Sequence, residues 1–88
     1  MNEADIRAAV LQALRSIAPE VPSDRIRPGE DLRDQLDLDS MDVVNLLAAL
    51  EEKLGVHIEE TDHARLATLD GAVAYLLNRA APDRTRSR

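Results

Sequence analysis

The sequence has no cysteine, no tryptophan and no phenylalanine, and its single aromatic residue is Tyr75. Without cysteine, disulfides and thiolate metal sites are excluded, and nothing argues for secretion. With one aromatic there is no base-stacking platform and no aromatic cage, so the core must be built from Leu, Val, Ile and Ala. Positive charge is scarce as well: 17 acids stand against 11 bases, a net charge of −6, and Lys53 is the one lysine. Three of the arginines fall in the closing stretch RTRSR, so the part expected to fold is more acidic than the total. That balance argues against nucleic acid, whose phosphates need Lys and Arg, and suits a partner with a basic docking surface. No apolar run is long enough to span a bilayer, and the acidic opening MNEADIRAAV lacks the apolar stretch of a signal peptide. A soluble, cytoplasmic, monomeric protein with no membrane insertion is expected.

A chain of 88 residues has room for one small domain, taken as residues 1–81, followed by a basic tail, 82–88, expected to be disordered. Ile6, Val10, Leu14 and Ile17 recur at helical spacing and predict a first helix from about Glu3 to Ile17. Asn2 is placed to cap it, with Asp5 three residues on, and Pro19 and Pro22 end the pattern. Residues 18–38 then form a long connection in which Ile26, Leu32, Leu36 and Leu38 are read as plugs into the core. Leu32 and Leu36 are spaced to share one short helical turn. A second helix is predicted from Ser40 to Leu54, capped by Asp39 with Asp42 at its third position and stopped by Gly55. Val56 and Ile58 alternate beyond it, a short turn of helix follows near Asp62–Leu66, and Thr68 caps a last helix from Leu69 to about Ala80, ended by Pro82. The fold class is all-α: a small bundle of three main helices plus one short helix, with a long first loop.

The second helix carries two apolar faces. Val43, Leu46, Leu47, Leu50 and Leu54 lie in one sector and should face the core. Met41, Val44 and Ala48 form a second strip away from it, flanked by Asn45, Glu51 and Glu52. A small apolar strip rimmed by acids reads as a docking surface for a basic partner. The competing reading packs Val44 and Ala48 beneath the long loop.

Ser40 stands among Asp37, Asp39 and Asp42 at the start of that helix. As a mere cap it competes with Asp39, which already suits that position. As a catalytic nucleophile it needs a base and an oxyanion hole, yet His57 and His63 fall beyond the far end of a helix about 20 Å long. As part of a calcium loop, DLDSMD fails where Met41 cannot ligate and where Asp42 replaces the required glycine. No metal site is expected. A further reading is a covalent attachment point, a hydroxyl whose flanking acids serve as marks for a modifying enzyme with a basic surface.

The stretch LDLDSMDVVNLLAALEEKLGVHI resembles the acyl carrier protein motif, D-S followed by Leu or Met and an acidic amphipathic helix. The likeness runs from about Ile6 to Asn78 and includes ATLDGAVAYLLN. The resemblance implies an acyl-carrier-protein-like bundle with no catalysis of its own. It implies that Ser40 accepts 4′-phosphopantetheine from coenzyme A through a separate phosphopantetheinyl transferase, with Asp39 as the preceding acid. Acyl groups would ride on the arm as thioesters, for fatty-acid or related lipid biosynthesis. The partner face would be Met41, Asp42, Val44, Ala48, Glu51 and Glu52, meeting basic surfaces on the enzymes that load, modify and transfer acyl groups. The acyl pocket would be lined by Leu46, Leu50, Ile58, Leu66, Val73 and Leu76. Relative to the familiar fatty-acid carrier pattern, Asn45 and Lys53 replace acids, Met41 replaces leucine, and Asp37 stands where a small residue is usual. These departures keep open a dedicated polyketide, aminoacyl or peptidyl carrier. From another class, the rival is a non-carrier helical adaptor for a basic partner, with Ser40 only capping.

Overall fold

The computed structural model describes residues 2–80; Met1, Pro82 and the basic tail lie outside the described residues. At the start of the chain the Asn2 side chain accepts a hydrogen bond from the Asp5 N–H (2.9 Å), and the Asp5 carboxylate accepts one from the Asn2 N–H (3.4 Å). This reciprocal box satisfies two backbone donors that a helix start leaves without partners. Helix α1 follows, Glu3–Ile17, burying Ile6, Ala9, Val10, Ala13 and Leu14. Ile17, expected on the same stripe, is only half-buried.

The connection that follows has more order than its prolines suggest. It holds a 3₁₀ turn, Ser23–Arg25, and a short helix α2, Leu32–Leu36, capped by Asp31. Leu32, Leu36 and Leu38 are buried and Ile26 half-buried, the plugs the sequence suggests. Polar ties do the rest. The Gln35 amide accepts from the Arg27 N–H (2.8 Å) and donates to the carbonyls of Arg27 (2.8 Å) and Glu30 (3.1 Å). Two backbone bonds then pin the loop to a distant segment: Leu32 N–H to Ala67 O (2.8 Å) and Asp70 N–H to Pro28 O (3.0 Å). A loop whose backbone groups are paired in this way is structure, not linker.

Helix α2 ends at Asp37, whose backbone is left-handed (φ 56°, ψ 46°), and the next N–H, that of Leu38, closes back on the Arg33 carbonyl (3.0 Å). Here lies the reason for a small residue at this position. Glycine adopts this conformation freely, and aspartate is among the few side chains that tolerate it.

Helix α3 spans Ser40–Leu54 and stops where Gly55 turns left-handed at φ 66°. A seven-residue 3₁₀ helix, Glu60–Leu66, starts two residues earlier than the turn expected from the sequence. Helix α4, Leu69–Ala80, begins with the Thr68 hydroxyl accepting from the Gly71 N–H (2.9 Å). Gly71 is there for proximity: a Cβ would come within 2.5 Å of the Arg65 carbonyl oxygen. α1 packs on both α3 and α4, and α4 packs on the 3₁₀ helix. One continuous core, aliphatic except for Tyr75, runs through all of them, with Ile6, Val10, Leu14, Leu50 and Leu76 fully enclosed. Among the described residues every regular element is helical. The expected three main helices are present, and the short elements exceed the one expected because the long loop contributes α2 and its own 3₁₀ turn.

Tyr75 is a core residue that periodicity alone does not single out. Its hydroxyl donates to Asp62 Oδ2 (2.7 Å), which also accepts from Arg79 Nη2 (3.3 Å). The Arg65 and Arg79 guanidinium carbons lie 5.4 and 5.1 Å from the ring centroid. Burial raises the phenol above its ordinary range and the Asp62 carboxylate adds to this, against the Arg79 charge.

Replacing Asp37 by glycine removes the left-handed strain and is expected to stabilise the domain by about 1 kcal/mol, partly offset by the freer unfolded chain. Thermal unfolding should show this as a rise of several degrees, and a lower melting temperature would contradict the strain account. Tyr75 is the sole tyrosine, so tyrosinate absorbance reports it alone; the midpoint should lie above 10.0 and fall toward it in Asp62→Asn. Since the folded-state pKa is the raised one, this group's contribution to stability is intact below the unfolded value and is lost as pH climbs through the folded value. Denaturant melts on the alkaline side should show that decline.

Candidate functional site

The start of α3 is built by the two acids that bracket Ser40. Asp39 is the cap: its carboxylate accepts from the Asp42 N–H at 2.8 Å, and the Asp42 carboxylate accepts from the Asp39 N–H at 3.1 Å. Ser40 is thus the first residue inside the helix, not its cap. Its side chain is exposed, and its hydroxyl makes no hydrogen bond among the described residues. Neither histidine bonds to it. The surrounding field is negative, since Asp31, Asp34, Asp37, Asp39 and Asp42 crowd one stretch. Its one base, Arg33, turns Nε toward the Leu38 carbonyl (3.4 Å).

Along α3, Met41 and Val44 stand 64 % and 56 % exposed, and Ala48 and Glu52 are exposed with them. Val44 and Ala48 therefore do not pack beneath the long loop. Leu46, Leu47 and Leu50 are buried on the opposite side, with Val43 and Leu54 half-buried. Glu51 has a second role that the sequence does not disclose. Its Oε2 accepts from the Ile58 N–H (2.8 Å) and lies 3.3 Å from His57 Nδ1, so it braces the chain where it leaves α3. Lys53 turns to α1, donating to Gln12 Oε1 at 3.0 Å, and so stands apart from the Met41–Ala48 strip.

Beneath α2 lies a small apolar cleft of about 70 Å³, walled by Leu32, Leu38, Val43, Leu46, Leu47 and Leu66. Asp31, Arg33 and His63 also line it, and all three are exposed. Of the six residues expected to form an acyl pocket, Leu46 and Leu66 line this cleft. Ile58 lines a separate open groove with Val44, Leu47, Ala48, Glu51 and His63. Leu50, Val73 and Leu76 sit in the packed core. His63, which the sequence places beyond the far end of α3, lines both depressions; the 3₁₀ register of its segment gives no amphipathic signal that would have revealed this. Among the described residues no three metal-ligating side chains converge, and no helix is long and apolar enough to cross a membrane.

The family profile described as "Phosphopantetheine attachment site" matches residues 8–76. The chain is 30 % identical over 78 residues to the acyl carrier protein of Acidothermus cellulolyticus, covering 89 % of this chain and 92 % of that protein. It is 33 % identical over 79 residues to the acyl carrier protein of Chlorobium luteolum, 90 % of this chain and 100 % of that one. To the acyl carrier protein of Campylobacter hominis it is 34 % identical over 74 residues, 84 % of this chain and 87 % of the relative. The matched span includes the capped start of α3, its exposed strip and the core of α4, and on that likeness the chain belongs to the acyl carrier family that bears the phosphopantetheine attachment site.

Proposed function

We propose that Ser40 is the attachment residue and that the protein is a stand-alone carrier of acyl groups for fatty-acid or related lipid synthesis. One observation carries the reading. The Ser40 hydroxyl is exposed and unengaged at the head of a helix whose cap Asp39 already supplies. A hydroxyl in that state can be approached by a modifying enzyme without breaking any bond that holds the fold. A phosphodiester there also meets the free N–H groups and positive end of α3. The family cofactor is phosphopantetheine, and members are carriers, not catalysts. When attached, the arm supplies a terminal thiol on which acyl groups ride as thioesters. Asp39 and Asp42 hold the helix start and present negative charge to the enzyme that installs it. The domain responsible is taken as residues 1–81, in the cytoplasm.

Enzymes of acyl metabolism and a phosphopantetheinyl transferase are the partner class. Their basic surfaces are matched by Met41, Val44 and Ala48 with Asp42 and Glu52 beside them, and by the part of Glu51 that its bracing role leaves free. Lys53 points away from this strip, which weakens its weight as a departure from the fatty-acyl pattern. Asn45, exposed beside the strip, is the feature that favours a dedicated polyketide, aminoacyl or peptidyl carrier. The adaptor reading needs Ser40 as a cap, and the cap bond belongs to Asp39.

Incubating the full chain with coenzyme A, Mg²⁺ and a promiscuous phosphopantetheinyl transferase should add one phosphopantetheine to the intact mass. Ser40→Ala should gain nothing; an equal gain in that variant would place the attachment elsewhere. Glu52→Lys should weaken transferase binding several-fold at low salt and flatten its salt dependence while leaving the melting temperature unchanged. Glu51→Lys should do both, weakening binding and lowering stability by about 1–2 kcal/mol through loss of the bond from the Ile58 N–H. Equal stability of the two variants would remove the brace assigned to Glu51.

A further inference from the structure

The carrier reading leaves His63 without a role, and its position is unusual. It is an exposed side chain of the 3₁₀ helix, yet it lines both the cleft beneath α2 and the open groove along α3. Leu47 is the other residue common to the two. Groove and cleft therefore adjoin across a Leu47–His63 threshold, aliphatic on one side and polar on the other. The cleft begins one helical turn from Ser40, at Val43, and continues to Leu46 and Leu47 a turn further along α3. Its volume, about 70 Å³, is small against the ~150 Å³ of an apolar cavity that admits benzene, so without expansion it accepts only a short run of carbon.

The polar groups at the rim are not equivalent. The Asp31 carboxylate is tied to the Asp34 N–H (3.0 Å), and Arg33 Nε is directed to the Leu38 carbonyl (3.4 Å). The His63 imidazole makes no hydrogen bond or ion pair among the described residues. It offers a donor or an acceptor to whatever enters.

From this placement we propose that His63 is the specificity-determining residue of the cleft. It selects short acyl chains bearing an oxygen function near the thioester, a 3-hydroxy or 3-oxo group, over saturated chains of equal length. An oxygen atom carried toward an aliphatic wall loses its water, and an imidazole at the threshold replaces that partner. A saturated chain gains nothing from the ring and strips water from it in passing. The inference rests on Ser40 as the attachment residue.

The test loads the full chain at Ser40 with butyryl- or 3-hydroxybutyryl-phosphopantetheine, with loading verified by intact mass. Melting temperature and the NMR resonances of the His63 ring are then compared. In the wild type the 3-hydroxybutyryl form should melt a few degrees above the butyryl form and shift the His63 ring resonances. His63→Leu should invert that order, whereas His63→Gln, which keeps a donor and an acceptor, should preserve it. The exposure of His63 leaves the fold of both variants intact. Equal melting of the two wild-type forms, or an unchanged order in His63→Leu, overturns the assignment of His63 alone. A chain that accepts no acyl-phosphopantetheine at Ser40 overturns the attachment reading and this inference together.

Discussion

The rest of this structure depends on the hydrogen bond from the Asp42 N–H to the Asp39 carboxylate. It sets where α3 starts, and a helix start sets the angular position of every residue that follows. With Asp39 outside and Ser40 first inside, Leu46, Leu47 and Leu50 turn to the core and Met41, Val44 and Ala48 to solvent. The same bond removes from Ser40 the capping duty that a serine at a helix start would otherwise perform. A free hydroxyl and an ordered apolar strip are thus two consequences of one cap.

The long connection before α3 is the price of bringing that cap to the surface at a defined place. Leu32, Leu36 and Leu38 plug it into the core, and polar ties add to that packing: Gln35 gathers Arg27 and Glu30, and Pro28 and Leu32 are clamped to Asp70 and Ala67. The clamp holds α2 over the cleft and forces the sharp turn at Asp37, where a left-handed aspartate is tolerated in place of glycine. Asp37 thus belongs to the backbone turn that delivers the chain to Asp39.

Acids on the outer face of α3 share two tasks unequally. Glu52 is exposed and free to meet a partner, whereas Glu51 is committed in part to the Ile58 N–H and so to the closure of the core behind it. A chain with one lysine and a net charge of −6 has acids to spare for recognition, but the position of each one decides whether its loss weakens docking alone or stability as well.

Local chemistry makes the three long helices legible in the sequence itself. Asn2 with Asp5, Asp39 with Asp42, Thr68, Gly55 and the 3.6-residue stripes act within a few residues of one another, so the sequence displays them without knowledge of the tertiary contacts. Ser40 and its two exposed neighbours Met41 and Val44 are legible for the same reason, since one helix period places them all. What lies beyond the sequence depends on contacts between segments far apart in the chain. The Gln35 ties, the 2.5 Å approach that requires Gly71, the Tyr75–Asp62–Arg79 cluster and the brace at Glu51 have no periodicity to announce them. The expected acyl lining marks the limit clearly: every one of its six residues is buried, but burial is a one-dimensional signal and a cleft is a gap between surfaces. Only the tertiary arrangement that brings α2, α3 and the 3₁₀ helix around one cleft decides that the gap opens at Leu46 and Leu66, with His63 at its edge.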